Sequence, residues 1–395
     1  MNDFPIPGLA LPTPPETTSP RGKISAESLL DGLNEQQRAA VVHEGTPLLV
    51  VAGAGSGKTR VLTRRIAWLI SQRGAHPGSI LAITFTNKAA AEMRERVTDL
   101  IGNRAKIMWV STFHSSCVRI LRKESDKLGF KSNFTIYDSQ DSKRLMTLVC
   151  RDLDLDVKRY QPRAILNWIS NAKNELQDVE DAKKGAANSL EETYAAAYEL
   201  YQRRLREANA LDFDDLLTKT VELFRAFPDV RENWRRRFRH VLVDEYQDTN
   251  HAQYALIFEL CGNNPEATEV QETPGAELMV VGDADQSIYA FRGANIRNIL
   301  DFEQDFADAE TILLEQNYRS TQTILTAANA VIGNNAGRKP KNLWSDAGSG
   351  EKIVGYVGDS EHDEARFVRE EIDRLTDAED FRAGDIAVFY RTNAQ

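Results

Sequence analysis

Cysteine is scarce in this sequence, and it contains no long apolar run. Its 395 residues include only three cysteines, Cys117, Cys150 and Cys261, which lie far apart. That spacing excludes a disulfide framework, a structural zinc site and an iron–sulfur cluster. No apolar run approaches the roughly 20 residues that span a bilayer. We therefore expect a soluble protein of the reducing cytoplasm, with no membrane partner.

Basic residues are outnumbered by acidic ones. Lys plus Arg is 49 against 59 for Asp plus Glu, which gives a net charge of −10. This excludes a protein that binds polyanions through its overall charge, but it leaves room for a local basic track. From residue 111 to 175, twelve basic and eight acidic residues give a local net charge of +4. A solvated helix face explains this excess as well as nucleic-acid binding does.

Short apolar runs alternate with helical patterns along the chain. The runs are Leu48–Val51, Ile80–Ile83, Val241–Val243, Leu278–Val281 and Ile312–Leu314. Runs of this length predict strands buried on both faces, and their alternation with helices predicts an α/β domain with a mostly parallel sheet. Between about 115 and 210 the patterns are helical with few strand candidates, which predicts a helical insertion. A length of 395 residues fits two or three domains of roughly 150 residues.

The two ends of the chain differ from its centre. Residues 1–24 are rich in proline and polar residues, which predicts a disordered tail. A new segment begins near Ser320 with a helical pattern and two strand candidates, Ile353–Val357 and Ile386–Tyr390. The sheet domain should therefore comprise 25–114 and 211–319, with the insertion at 115–210 and an incomplete second α/β domain at 320–395.

A glycine-rich loop follows the first strand candidate and precedes a helical pattern. Its residues are Ala52, Gly53, Ala54, Gly55, Ser56, Gly57, Lys58 and Thr59. Backbone N–H groups of such a turn and the helix dipole both favour an anion. Lys58 would reach the β- and γ-phosphates, and the Thr59 hydroxyl would hold Mg²⁺. The loop predicts a nucleoside triphosphate site without indicating how it is used.

Two adjacent acids, Asp244 and Glu245, follow the strand candidate Val241–Val243. A carboxylate at the end of a buried strand is where phosphoryl-transfer enzymes hold Mg²⁺, and Asp244 fits that role. Glu245 would activate water as a general base. A small-molecule kinase does not need this second acid, so the pair favours a hydrolytic enzyme.

Several ordered motifs between Leu33 and the C-terminus resemble those of the superfamily 1 DNA helicases of the UvrD, PcrA and Rep group. The motifs are LNEQQRAAV at Leu33–Val41, TFTNKAAAEM at Thr84–Met93, STFHSS at Ser111–Ser116, VGDADQSIYAFRGA at Val281–Ala294, QNYRS at Gln316–Ser320 and YRTNAQ at Tyr390–Gln395. The resemblance implies a RecA-like P-loop motor domain with a mostly parallel sheet. It also implies a helical insertion subdomain and the start of a second RecA-like domain.

The resemblance assigns nucleotide contacts outside the phosphate loop. Gln37 would contact the adenine edge, with Arg60 nearby, because an amide both donates and accepts hydrogen bonds. Tyr318 would stack on the adenine. Gln286 would sense the γ-phosphate, and Arg319 would stabilise charge in the transition state as an arginine finger.

The resemblance also assigns contacts to single-stranded DNA. Phe85 would stack a base, and the residues that could grip phosphates are Thr84, Thr86, Asn87, Thr112 and His114. Tyr289, Phe291 and Arg292 would also touch the strand, although family members usually carry Trp where this chain has Phe291. Considered alone, Phe85 fits a core position and His114 a structural histidine.

The resemblance implies an ATP-dependent helicase that uses Mg²⁺ and moves 3′-to-5′ on single-stranded DNA. Its partners would be single-stranded DNA, junctions with duplex DNA and repair proteins, and it would act in the cytoplasm at the nucleoid. The family's later motifs belong to sequence beyond Gln395, so we expect an N-terminal fragment. Two alternatives stay open: the motor of a helicase–nuclease, and a fragment that binds ATP or DNA with little turnover.

Overall fold

The structure, a computed structural model, describes residues 24–262, 274–335, 338, 340–378 and 381–392. The predicted disordered tail, apart from residue 24, lies outside these residues. The strands are β1 Leu48–Ala52, β2 Ile80–Thr84, β3 Trp109–Thr112, β4 Thr135–Ile136, β5 Ala210–Leu211, β6 His240–Val243, β7 Glu277–Gly282 and β8 Glu310–Leu314. The helices are α1 Ala26–Leu30, α2 Glu35–Val42, α3 Lys58–Ser71, α4 Asn87–Ile101, α5 Phe113–Glu124, α6 Ser139–Asp152, α7 Pro162–Asn174, α8 Val179–Gly185, α9 Ser189–Glu207, α10 Phe213–Ala226, α11 Pro228–Arg237, α12 His251–Cys261, α13 Arg297–Leu300, α14 Phe302–Asp305, α15 Gln322–Ile332 and α16 Glu361–Asp377. None of these helices is both long and apolar enough to cross a membrane.

Six strands form one parallel sheet in the order β3-β2-β6-β7-β1-β8. Successive side chains of a strand point to opposite faces, so β1 sends Leu49 and Val51 into one apolar core and Leu48 and Val50 into another. Both faces are therefore covered by helices, as in parallel sheets generally. The α/β class and the parallel sheet predicted from the alternating runs are confirmed.

The sequence misjudged three strands. β3 was not among the strand candidates, because it is only four residues long and ends in the polar pair Ser111–Thr112. The candidates Ile353–Val357 and Ile386–Tyr390 form no strand in the described residues. Val357 and Phe389 are each 94% exposed, so these runs have neither a strand to pair with nor a core to enter.

Helices α6, α7 and α9 enclose a third apolar core that includes Met146, Ile165 and Tyr201. This core also holds a buried charge. Lys173 on α7 is 1% exposed, and its ammonium lies 2.7 Å from Asp212 and 2.8 Å from Asp215 at the start of α10. These ion pairs tie the helical region to the helix that leads back towards the sheet.

All six parallel strands end at the same rim of the sheet, where ligands bind in α/β proteins. The segments that follow them are 53–57 after β1, 85–87 after β2, 113–116 after β3, 244–248 after β6, 283–286 after β7 and 315–319 after β8. Every motif predicted to bind nucleotide or DNA therefore begins at this rim or borders it.

Candidate nucleotide and nucleic-acid site

The phosphate loop runs from β1 to the N-terminus of α3. Gly55 and Gly57 have φ angles of 74° and 90°, a left-handed conformation that glycine adopts without strain. The buried Ser56 hydroxyl donates to the Gly53 carbonyl at 2.8 Å, which closes the turn. Helix α3 begins at Lys58, so its free N–H groups and dipole face the loop. The loop thus has the backbone of an anion site.

Lys58 and Glu245 meet across the rim. The Lys58 ammonium donates to Glu245 Oε2 at 2.7 Å, and the Gln247 side-chain amide donates to the same oxygen at 2.9 Å. Glu245 has a φ of 51°, which is unusual for a residue with a side chain and marks a sharp turn after β6. The structure therefore brings together two groups that are far apart in the chain and were predicted to share one site.

Asp244 and Asp248 are carboxyl groups in low-dielectric surroundings beside this pair. Burial, and then the negative charge of Glu245, raise the pKa of Asp244 to about 6. The same two causes raise the pKa of Asp248 to about 6, and its buried Oδ1 has no hydrogen-bond partner in the described part of the chain. A cation at this rim would relieve the cost of ionising both groups.

The residues predicted to hold Mg²⁺ fit that ion. Thr59 and Asp244 offer oxygen donors, which Mg²⁺ prefers, and proteins commonly bind it through one or two carboxylates together with substrate phosphates. Among the described residues, no three His, Cys, Asp or Glu side chains are grouped closely enough to hold a metal by themselves. This arrangement suits an ion that arrives with the nucleotide.

The segment 283–286, which follows β7, is held in place by Gln247 on one side and Lys341 on the other. The Gln247 side-chain oxygen accepts from the backbone N–H of Asp283 at 2.9 Å, and Gln286 donates its side-chain amide to the Asp283 carboxylate. Lys341, which is nearly buried, donates to both Asp283 and Asp285. Burial opposes the ionisation of Asp285, but hydrogen bonds from Arg338 and Lys341 hold its pKa below the usual value.

The segment after β8 lies directly on the phosphate loop. The Asn317 amide donates to the Ala54 carbonyl at 2.5 Å, and the Tyr318 backbone N–H donates to the Gly55 carbonyl at 2.9 Å. A Cβ on Gly55 would come within 2.6 Å of Asn317, so only glycine permits this approach. Arg319 is exposed beside the loop, and its backbone N–H donates to Asn317.

The predicted adenine contacts are engaged within the protein. Gln37 is 1% exposed, its amide donates to the Ser56 carbonyl at 2.8 Å, and its oxygen caps α2. The Tyr318 hydroxyl donates to Gln316 at 2.8 Å, and the Tyr318 side chain is half exposed. Arg60 is exposed on the first turn of α3. Gln37 in this conformation supports the phosphate loop, and an adenine contact requires its amide to be released.

Three aromatic side chains predicted to contact DNA form a row. The Phe85 and Tyr289 rings are stacked with centroids 5.5 Å apart, and the Tyr289 and Phe291 centroids are 6.0 Å apart. Phe85 and Tyr289 are partly exposed and Phe291 is 78% exposed. Phe85 is therefore not a core residue, and the row is accessible to solvent. The side chain of Arg292 lies outside the described part of the structure.

The predicted phosphate contacts fall into two groups. Thr86 and Thr112 cap α4 and α5 by accepting from the backbone of Ala89 and Ser115, and Asn87 is exposed at the start of α4. Thr84 differs from them, because it is 1% exposed and its hydroxyl donates to the Thr86 carbonyl. In this conformation Thr84 supports the turn instead of facing a ligand.

His114 lies beside an aromatic ring that the sequence analysis did not single out. Its ring centroid is 5.4 Å from that of Phe213, which is 53% exposed, and burial lowers the His114 pKa. Asn317, Gln247 and Lys341 were also missed. Asn317 lies inside the QNYRS motif and Gln247 two positions after Glu245, so both could have been found from the sequence, whereas Lys341 had no local signal.

A glycine-rich loop at a helix N-terminus, with its lysine paired to an acid that follows a nearby parallel strand, defines the P-loop class of nucleoside triphosphate-binding proteins. A family model of the UvrD/REP helicase N-terminal domain matches residues 33–307. A model of the UvrD-like helicase C-terminal domain matches residues 312–395. The chain belongs to the UvrD-like helicase family, whose domains have the RecA-like P-loop fold.

Curated relatives match almost the whole chain. Over 378 residues it is 64% identical to the ATP-dependent DNA helicase UvrD1 of Mycobacterium tuberculosis (strain ATCC 25618 / H37Rv), covering 95% of this chain and 48% of that protein. Over 369 residues it is 49% identical to the ATP-dependent DNA helicase PcrA of Staphylococcus aureus (strain NCTC 8325 / PS 47), covering 93% of this chain and 49% of that protein. The chain thus spans about half the length of the curated relatives it matches.

Proposed function

We propose that this chain is the nucleotide-binding motor part of an ATP-dependent DNA helicase that moves 3′-to-5′ along single-stranded DNA. The observation that carries the proposal is the 2.7 Å ion pair between Lys58 and Glu245, which joins the phosphate loop to the acidic end of β6. The aromatic row of Phe85, Tyr289 and Phe291 along the same rim supports a nucleic-acid track beside the nucleotide. Relatives named as ATP-dependent DNA helicases support it further.

The proposal divides the chain into parts. Residues 25–114 and 211–319 would form the first motor domain, and residues 115–210 its helical insertion subdomain. Residues 320–395 would begin the second motor domain, and residues 1–24 a flexible tail. The cleft between the motor domains would hold ATP, which fits the position of Asn317 and Arg319 against the phosphate loop.

In the proposed reaction a water molecule attacks the γ-phosphate in line. Lys58 would exchange Glu245 for the β- and γ-phosphate oxygens, and this exchange would free the Glu245 carboxylate to accept the water proton. Mg²⁺, held by Thr59 and Asp244, would neutralise phosphate charge when bound. Arg319 would add positive charge at the γ-phosphate, and Gln286 would hydrogen-bond the same group.

Coupling to DNA follows from short connections along the rim. Gln247 contacts both Glu245 and the backbone of Asp283, so a displacement of Glu245 is passed to the segment after β7. Tyr289, a few residues further along that segment, stacks on Phe85. Movement results only if nucleotide binding favours one arrangement of this track over another. Stacking tolerates any base, as a motor needs.

The proposed setting is the bacterial cytoplasm at the nucleoid. The strand contacts assigned to Phe85, Thr86, Asn87, Thr112 and His114 suit single-stranded DNA next to a junction with duplex DNA. We further propose that the protein acts in DNA repair and binds repair proteins.

A second candidate is a chain that binds ATP and DNA with little turnover, favoured by the lack of strands among the described residues after β8. Steady-state ATP hydrolysis with and without single-stranded DNA separates the two. Stimulation by DNA supports the motor, and binding of both ligands without turnover supports the second candidate. Failure to bind either ligand refutes both. The motor of a helicase–nuclease shares all these contacts and would be distinguished by DNA cleavage.

A further inference from the structure

Several arginines gather at the outer edge of the sheet, where β3 is the terminal strand. Arg119 of α5 lies over the Trp109 ring, with its guanidinium carbon 3.7 Å from the centroid. Arg237, the last residue of α11, lies 4.9 Å from the same centroid. Arg94 of α4 donates to the Val110 carbonyl of β3. Arg94, Arg119 and Arg237, here called the edge arginines, are all exposed.

The edge arginines form a cluster of like charge. In the described part of the chain, no hydrogen bond or ion pair joins Arg119 or Arg237 to a carboxylate. Burial lowers the Arg119 pKa, and the charges of Arg237 and Arg94 lower it further. Stacking of guanidinium on an indole is favourable at an exposed site, but repulsion within the cluster opposes it. An anion would remove that repulsion.

The cluster lies on a direct extension of the proposed DNA track. Thr112 caps α5, and Ser115, Arg119 and Arg122 follow at helical spacing, so the four share one face. The Thr112 and Ser115 hydroxyls are hydrogen-bonded at 3.0 Å, and Arg119 and Arg122 are exposed. Arg119 lies about 10 Å along the helix from Thr112 at 1.5 Å per residue. That is on the order of three nucleotides at 3.4 Å.

We propose that the edge arginines and Arg122 bind backbone phosphates of the nucleic-acid strand as it leaves Thr112 and His114, which extends the track around the edge of β3. This inference rests on the proposed function. It gives a role to part of the basic excess between residues 111 and 175 that the motor reaction does not use.

The ligand chemistry follows from what is accessible. Trp109 and Trp234, the rings under the cations, are 5% and 2% exposed, so no base can stack on them. The contacts that we propose for the arginines are therefore to phosphate oxygens, which carry no sequence information. Binding at this patch should be independent of sequence and sensitive to salt.

The test compares oligothymidylates of about 8 and about 20 nucleotides, because only the longer strand reaches beyond a core track. The variant is Arg119→Gln with Arg237→Gln, which keeps the aliphatic contact with the tryptophans. The control is Arg366→Gln with Arg374→Gln, which removes the same charge from the exposed face of α16. A third variant, Arg119→Lys with Arg237→Lys, keeps the charge.

We expect the glutamine variant to bind the long strand about 10-fold more weakly and the short strand unchanged. Its salt slope on the long strand should fall by about 1.4, at 0.7 for each phosphate released from a single strand. The lysine variant should retain the slope of the unmodified chain.

An unchanged long-strand slope, or an equal loss for both lengths, would overturn the inference. An unmodified chain that fails to bind even the short strand would instead sink the proposed function. The two failures are therefore distinguishable.

Discussion

The Lys58 ammonium lies 2.7 Å from Glu245 Oε2, although 187 positions separate the two residues in the chain. In the proposed site, the triphosphate would occupy the position of this ion pair. Lys58 therefore has a carboxylate partner that the proposed reaction must displace. We therefore expect nucleotide binding to depend on both residues.

Replacing Lys58 should remove the chemistry. We expect Lys58→Ala to lower ATP turnover by at least about 100-fold, because the variant loses preorganised charge at the phosphates. Lys184→Ala, at an exposed position in α8, is the matched control and should leave turnover unchanged. Normal hydrolysis in Lys58→Ala would show that the phosphate site lies elsewhere.

Removing the Phe85 ring should weaken strand binding. Phe85→Ala is expected to cost roughly 1–3 kcal/mol in single-strand affinity, the scale of one base stack. Because Phe85 and Tyr289 stack on each other, a double-mutant cycle with Tyr289→Ala should be non-additive. Phe389→Ala removes a ring that is 94% exposed and serves as the control. An unaltered dissociation constant for Phe85→Ala would take this ring out of the track.

Asp244 should make stability depend on pH. Its folded pKa is raised to about 6, above the unfolded value of 3.8, so its favourable contribution is complete below about 4 and is lost as pH rises through 6. Asp244→Asn should therefore raise the free energy of unfolding at pH 7.5 by on the order of 1–3 kcal/mol, and the gain should vanish near pH 4.

The same substitution should abolish stabilisation by Mg²⁺ with nucleotide, which in the unmodified chain should increase as pH rises through 6. Thermal unfolding across this pH range, with and without the two ligands, tests both statements. An Asp244→Asn protein that is less stable at every pH would contradict them.

Lys341 should be essential to the segment that carries Gln286. Lys341→Met leaves Asp283 and Asp285 without their buried cation, which is expected to destabilise the chain by about 3–5 kcal/mol. Lys352→Met, at an exposed lysine, should have almost no effect. Chemical denaturation measures both. Adding Asp283→Asn to Lys341→Met should recover part of the loss, and a further drop would show that the ion pairs do not act in this way.

The sequence predicted the centre of the sheet because buried parallel strands leave a local signal of short apolar runs. β3 was not predicted, because two of its four residues are polar. Ile353–Val357 has the same apolar signal but no neighbouring strand among the residues that the structure describes. Burial depends on neighbours that a local pattern cannot reveal. The contact between Lys58 and Glu245 could be predicted, because the carboxyl ends of parallel strands lie at the same rim of the sheet. Lys341 and Asp283 are 58 positions apart, and no rule of sheet topology brings them together. Only the structure reveals this ion pair.

At Glu245 the left-handed backbone conformation lowers the stability of the fold, whereas the side chain is needed for the proposed chemistry. A left-handed conformation costs a residue with a side chain roughly 1–2 kcal/mol, a penalty that glycine does not suffer. Glycine at this position would relax the chain and at the same time remove the acid that faces Lys58. A search for heat-resistant variants that selects on melting temperature alone would therefore favour inactive proteins with glycine at this position. Such a search should also select for hydrolysis.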